Sequence, residues 1–219
     1  MIDYDFDEGY RHAGYRLVCG LDEAGRGPLA GPVVAGACIL SPDIRIEGLD
    51  DSKKLTERTR ERVYDDITGR AIAWGAGIAT PEEIDRINIL EASLLAMRRA
   101  LESCGQIPDI LLVDGNQKRG FNIKAEAVVG GDAKSPSIAA ASVIAKVTRD
   151  RIMREYETIY PGYGFSRHKG YPTRDHKLAV YMRGPTPIHR GSFLSFLERD
   201  REWLEREAEL RRDAGSSDG

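Results

Sequence analysis

Long apolar runs are missing from this 219-residue sequence. No stretch approaches the ~18–20 consecutive apolar residues that a helix needs to cross a bilayer. The opening MIDYDFDEGYRHAGYR is acidic and polar, the reverse of a secretory leader. No membrane is therefore expected, and the cytoplasm is the predicted compartment. Cysteine is scarce: Cys19, Cys38 and Cys104 are an odd set, too widely spaced for a metal knuckle, and each lies in or beside an apolar segment. They read as reduced thiols used as small hydrophobes. An excess of positive charge is missing too, since 32 Lys and Arg face 35 Asp and Glu for a net charge of −3. This excludes a broad basic face, so any contact with a polyanion has to be local. The four histidines, His12, His168, His176 and His189, lack metal-ligand spacing.

What is present is an ordinary globular composition, 41% hydrophobic and 31% charged, in a chain long enough for one substantial core. Leu17–Leu21 reads as a strand ending at Asp22, and Val33–Leu40 as a second strand. A helical stretch begins near Thr56 with Val63 and Ile67 on one face. Ala71–Ala79 reads as a third strand, weakened by Gly75 and Gly77. Asn88 with Glu91 predicts a capping box on a helix striped by Leu90, Leu94, Met97 and Leu101, which Gly105 and Pro108 stop. Asp109–Asp114 and Ala125–Val129 are further strands. Pro136 suits the first turn of a long helix over 135–160. A glycine- and aromatic-rich loop over 160–171 leads to a helix over 173–182. A last amphipathic helix uses Phe193, Phe196, Leu197, Trp203, Leu204 and Leu210. The expected organisation is a polar N-terminal extension (1–15), an α/β catalytic domain (16–190), a C-terminal helical segment packed on it (191–212) and a disordered tail (213–219).

Three apolar segments each end at a carboxylate: Leu17–Leu21 at Asp22-Glu23, Ile110–Val113 at Asp114, and Val128–Gly131 at Asp132. In an α/β sheet, strand ends gather at one edge, where sites form. Carboxylates brought together repel one another and lose solvation, so the group needs a counter-ion. Oxygen-only donors select hard cations, Mg²⁺ or Mn²⁺, and a pair of them suits phosphoryl transfer. Asp22 and Glu23 are neighbours, and neighbours in a regular strand point to opposite faces. Both serve one metal pair only if the chain bends there, and Ala24-Gly25-Arg26-Gly27-Pro28 is expected to supply the bend. Two rivals fail. A dinucleotide-binding glycine loop opens a helix, whereas Pro28 and Pro32 frame an extended segment; the stretch 130–135 lacks the glycines of a phosphate-binding P-loop.

The run from Asp22 to Val33 (DEAGRGPLAGPV) resembles the signature opening of the ribonuclease HII family. So do Asp51-Ser52-Lys53-Lys54-Leu55, Asp114-Gly115, Gly131-Asp132 with Lys134-Ser135, the helix from Ile138 to Asp150, His168 to Thr173, and His189-Arg190. Pro172 departs from the family's more frequent glycine. The resemblance covers about Leu17 to Phe196. It implies a ribonuclease H-like mixed five-stranded sheet flanked by helices, with a helical C-terminal segment. It implies Asp22, Glu23, Asp114 and Asp132 as catalytic carboxylates and as ligands of two Mn²⁺ or Mg²⁺ ions. The implied substrates are RNA–DNA hybrids and duplex DNA carrying embedded ribonucleotides, cut on the 5′ side of the ribonucleotide to leave 3′-hydroxyl and 5′-phosphate ends. Gly25, Arg26 and Gly27 would read the ribose 2′-hydroxyl through their backbone, and Tyr171 would pack on the neighbouring sugar.

Hybrid binding needs several cations. Lys53, Lys54, Lys134, Lys146, Arg149, Arg167, Lys169 and Arg190 form the candidate phosphate track, with Lys53 and Lys169 foremost. His168 and His189 read as phosphate or structural contacts, and a monomer is expected. The alternatives are another metal-dependent nuclease on the same type of fold and an inactive hybrid-binding module.

Overall fold

Apolar runs of four to seven residues become five strands: β1 (Val18–Ala24), β2 (Val33–Ile39), β3 (Ala73–Ala79), β4 (Ile110–Asp114) and β5 (Ala125–Val128). The computed structural model describes residues 2–216. The strands lie in the order β3-β2-β1-β4-β5. The first three are mutually antiparallel, while β4 and β5 run parallel to β1. This is the mixed five-stranded sheet that the resemblance implies. The helices are α1 (Asp5–His12), α2 (Glu57–Arg70), α3 (Pro81–Ile87), α4 (Ile89–Cys104), α5 (Pro136–Ile159), α6 (Phe165–His168), α7 (Arg174–Arg183), α8 (Phe196–Arg199) and α9 (Arg201–Ser216). None among the described residues is long and apolar enough to cross a membrane.

α4 covers one face of the sheet and α5 the other, and glycine lets both come close. A methyl group at Gly77 would sit 2.2 Å from the Ala96 carbonyl oxygen of α4, and one at Gly36 would sit 2.2 Å from the Ala141 carbonyl oxygen of α5. The glycines that weaken β3 as a sequence pattern are thus what allows α4 to lie on it. The matching stripe on α5 is its run of small residues, Ala139 to Ala141 and Ala145, all fully buried.

Several elements differ from the sequence expectation. Asn88 does cap α4, accepting from the N–H groups of Leu90 (2.9 Å) and Glu91 (3.1 Å). However, the Glu91 carboxylate pairs with Arg119. The reciprocal capping box closes instead at Thr80 and Glu83 of α3, a short helix that its few apolar positions concealed. The 160–171 loop contains the single turn α6. The last helix is broken: a 3₁₀ turn over Gly191–Phe193, then α8, then α9. Lys177 Nζ holds Asp200 at 2.7 Å at the break, and Leu210 is exposed rather than packed. The expected tail overlaps α9 as far as Ser216, and 217–219 lie outside the described residues. The polar N-terminal segment forms α1, whose buried Asp7 accepts from Ser135 Oγ (2.6 Å) and the Ser137 N–H (3.0 Å) at the start of α5.

Candidate active site

Because β1 and β4 are parallel neighbours, with Leu21 paired to Val113, their C-terminal carboxylates Asp22 and Asp114 emerge at one edge. β5 ends beside them, and the 3₁₀ turn Gly131–Ala133 carries Asp132 to the same place. Asp22, Asp114 and Asp132 each offer an oxygen within 4.8 Å of the others. Asp114 Oδ1 accepts the Gly131 N–H at 2.7 Å, so one carboxylate anchors the turn that presents another. Ser142 lies close enough to Asp22 to favour its charged form, and Ser52 Oγ lies 2.6 Å from Ser142 Oγ. Lys53 Nζ is 3.3 Å from Asp132 Oδ2.

Glu23 stands apart from this trio. β1 stays regular through Ala24, which pairs with Val34, and the chain bends at Gly25, within the stretch expected to turn it. Asp22 therefore turns to the α5 side, while Glu23 shares a recess with Leu90, Ser93, Leu94 and Met97 on the α4 side. Arg26 NH1 holds Glu23 Oε1 at 3.1 Å. Glu23 and Asp114 line both this recess and the cavity that holds Asp22, so the two carboxylate environments are continuous.

The electrostatics are those of a crowded, partly buried anion cluster. Burial lifts Asp22 well above the ordinary carboxylate range, and the charges of Glu23 and Asp114 lift it further. Burial also raises Glu23, with Arg26 opposing, and Asp114, with the Gly131 N–H opposing. Desolvation pulls Lys53 down, but Asp132 and Asp22 outweigh it and leave the net shift upward. One lysine does not neutralise three carboxylates. An all-oxygen donor set of this size fits a hard divalent cation.

A cavity of about 250 Å³ joins Asp22, Glu23 and Asp114 to Gly25, Arg26, Gly27, Lys53 and Tyr171. A methyl group at Gly27 would lie 3.8 Å from Tyr171 Cε1, so that glycine and that ring face each other across a narrow slot. Lys169 is not part of this lining. Its ammonium turns back to the Ser166 carbonyl, and its own carbonyl accepts from Arg149 NH1 at 3.0 Å.

Arg149 and Arg190, expected on the phosphate track, are buried at 1% and 0% exposure. Arg190 donates to the carbonyls of Gly25 (2.6 Å), Arg26 (2.9 Å) and Gly31 (2.8 and 3.0 Å). Arg149 donates to Pro32 (3.0 Å), Ala30 (3.2 Å) and Lys169. Both arginines brace the glycine loop from behind. Arginine suits this task because its planar fork carries five donors in a fixed array. Of the remaining track candidates, Lys146 lines the cavity but pairs with Asp150 at 2.7 Å. Lys134 Nζ bonds the Val129 carbonyl, and Lys54 and Arg167 pair with Asp50 and Asp175. Ser52 and Ser142 went unnoticed as site residues. The signal was the helical spacing of Ser142, Lys146 and Arg149, polar groups at four- and three-residue steps within an alanine-rich stretch.

A family model for ribonuclease HII matches residues 19–196. The ribonuclease HII of Acetivibrio thermocellus is 56% identical over 186 residues, 85% of this chain and 72% of that protein. That of Geobacter sulfurreducens is 52% identical over 190 residues, 87% of this chain and 88% of that protein. The crystal structure of the ribonuclease H2 from Pyrococcus horikoshii superposes with a TM-score of 0.68 at 30% identity, over 86% of this chain and 99% of that one.

Proposed function

The chain belongs to the ribonuclease HII family, and from that premise we infer that it is an endonuclease for the RNA strand of RNA–DNA hybrids and for ribonucleotides embedded in duplex DNA. The observation that carries the reading is the pairing of an uncompensated carboxylate cluster with a glycine loop facing Tyr171 across the same cavity. Asp22, Asp114 and Asp132 are the proposed ligands of two Mg²⁺ or Mn²⁺ ions, with Glu23 as the fourth catalytic carboxylate. Such ions, when bound, neutralise the cluster and stabilise the charge on the phosphoryl oxygens in an in-line displacement. Hydrolysis then releases a 3′-hydroxyl and leaves the 5′-phosphate on the ribonucleotide.

The chain's own groups orient the strand. Lys53, exposed beside Asp132, holds a phosphate oxygen. The carbonyls of Gly25 and Arg26 are committed to Arg190, so the loop offers the 2′-hydroxyl its N–H groups, with Gly27 leaving room for the ribose. Tyr171 packs on the neighbouring sugar. Lys169 acts through its carbonyl, which ties the tyrosine's loop to Arg149. The 2′-hydroxyl is what separates RNA from DNA at a given position. A site built to bond a hydroxyl rejects the analogue lacking it by roughly 10⁴-fold. We place the enzyme in the cytoplasm as a monomer.

The test uses three matched duplexes (all DNA, one ribonucleotide, and a continuous hybrid) in Mg²⁺ and in Mn²⁺, with the ends mapped. Incision 5′ to the ribonucleotide with the all-DNA duplex intact is expected. Comparable cleavage of all three overturns the reading.

A further inference from the structure

Three histidines lie together behind Tyr171, and the carboxylate chemistry uses none of them. His176 is fully buried and His189 is 6% exposed. His168 stacks on His176 with ring centroids 4.4 Å apart, and Phe165 packs against all three rings. His176 Nε2 and His189 Nε2 are 3.1 Å apart.

One backbone group fixes the protons of two rings. His189 Nδ1 accepts the Thr186 N–H at 2.9 Å, so that nitrogen carries no proton. A neutral His189 then bears its proton on Nε2 and donates it to His176 Nε2. His176 must in turn be protonated on Nδ1, which lies 2.9 Å from the Tyr171 carbonyl oxygen and donates to it. Burial pulls both rings down to about 4, so the chain is neutral at pH 7. His168 completes the grip from the other side. Its Nδ1 accepts the Gly170 N–H at 3.2 Å, while its carbonyl accepts the Tyr171 N–H at 2.9 Å. The Gly170 carbonyl accepts the Leu29 N–H at 2.8 Å, which ties the segment to the glycine loop.

We propose that His176, oriented by His189 and Thr186, is a positioning residue that fixes the Tyr171 main chain and so sets how well the enzyme recognises a lone ribonucleotide in DNA. The proposal rests on the reading of Tyr171 given above. A lone ribonucleotide offers one register, so a tilted tyrosine is felt fully; a continuous hybrid offers many.

Two measurements test it. Nitrogen-detected NMR of the imidazoles at pH 7 should show His189 as the Nε2–H tautomer and His176 as the Nδ1–H tautomer. A His189 protonated on Nδ1 overturns the relay. In kinetics, the readout is the ratio of kcat/KM on a one-ribonucleotide duplex to that on a continuous hybrid. His176→Phe should lower this ratio roughly five- to tenfold, the size of one lost hydrogen bond. His176→Asn, whose amide nitrogen stands near the place of Nδ1, should restore most of it. His176→Gln, which reaches the Nε2 position instead, should not. Equal loss on both substrates, or rescue by Gln and not by Asn, overturns the proposal. If His176→Phe does not fold, the Asn and Gln pair carries the comparison. A ratio untouched by Tyr171→Ala removes the reading of Tyr171 itself. A ratio moved by Tyr171→Ala and not by the histidine variants removes the relay alone.

Discussion

On one side of the cleft, Asp22, Asp114 and Asp132 face one another with Lys53 as their nearest cation. On the other, Arg149 and Arg190 are buried and give their donors to main-chain carbonyls of the glycine and tyrosine loops. Both sides bury charge, yet they resolve it in opposite ways. The arginines are saturated by neutral oxygens, which fixes the shape of the loop. The carboxylates are left repelling, which reserves their site for cations. Charge stays uncompensated where an ion has to enter, and is satisfied where the backbone must not move.

The largest expected effect attacks the carboxylate side. Asp22→Asn should cut turnover by roughly 10³-fold or more, as expected for losing a group that organises transition-state charge. Its metal-free melting temperature should hold or rise, because the amide escapes the repulsion and desolvation that lift the Asp22 carboxyl. A clear fall in melting temperature would mean that the cluster is stabilising, and the contrast between the two sides would collapse.

Arg190→Gln should do the reverse. It strands carbonyls of Gly25, Arg26 and Gly31, at about 1–3 kcal/mol for each group left unpaired. Melting should fall by more than about 5 °C at the usual scale for a chain of this size. Arg190→Lys keeps the charge but lacks the fork, so it should rescue little. Full rescue by lysine would show that charge, not shape, is what this side requires.

A smaller effect sharpens the boundary between reading the sugar and bracing the loop. A side chain at Gly25 would meet the arginine brace rather than the sugar. Gly25 has φ +95°, and its methyl would fall 2.0 Å from Arg149 Nε. Gly25→Ala should therefore lower stability along with activity. Gly27 meets only the Tyr171 ring, at 3.8 Å. Gly27→Ala should cost about tenfold to a hundredfold in cleavage of ribonucleotide substrates with little change in melting temperature. Equal melting shifts in the two variants would erase the distinction.

The carboxylates were legible because each closes an apolar run, a local pattern that survives without knowledge of the sheet. The sheet itself followed from the same runs, and its five strands in mixed orientation agree with the sheet that the resemblance implies. Orientation was not legible. How far β1 runs before it bends depends on its ladder with β2, a contact across the chain, and Glu23 as a result reaches the recess beside α4 as well as the cavity it shares with Asp22. The arginines misled for a related reason. In sequence an arginine looks like a surface cation, and only the tertiary fold shows that Arg149 and Arg190 have main-chain oxygens to bind. The short helix α3 escaped because seven residues carry too little periodicity, although Thr80 and Glu83 held the spacing of a capping box.

The smallest expected effect is a difference in acid response, and it has opposite signs on the two sides. His176 and His189, behind the braced loop, have folded values of about 4 against 6.5 for an ordinary imidazole. Between those values the unfolded chain takes up protons that the folded chain refuses, so stability falls as pH drops from about 6.5 to 4. Asp22 is the mirror image. Its folded value lies above its ordinary 3.8, so the folded chain binds the proton first and stability rises as pH drops towards 3.8. Melting in a chelator at pH 7 and pH 4.5 separates the two. His176→Asn should lose less on acidification than the parent, because one refusing imidazole is gone. Asp22→Asn should lose more, because the acid-driven relief of its carboxyl is gone. The differences should amount to a few degrees, at about 2–4 °C per kcal/mol for a chain of this length. Parallel curves for all three proteins would show that neither group's burial is linked to folding, and the two sides of the cleft would then differ in geometry alone.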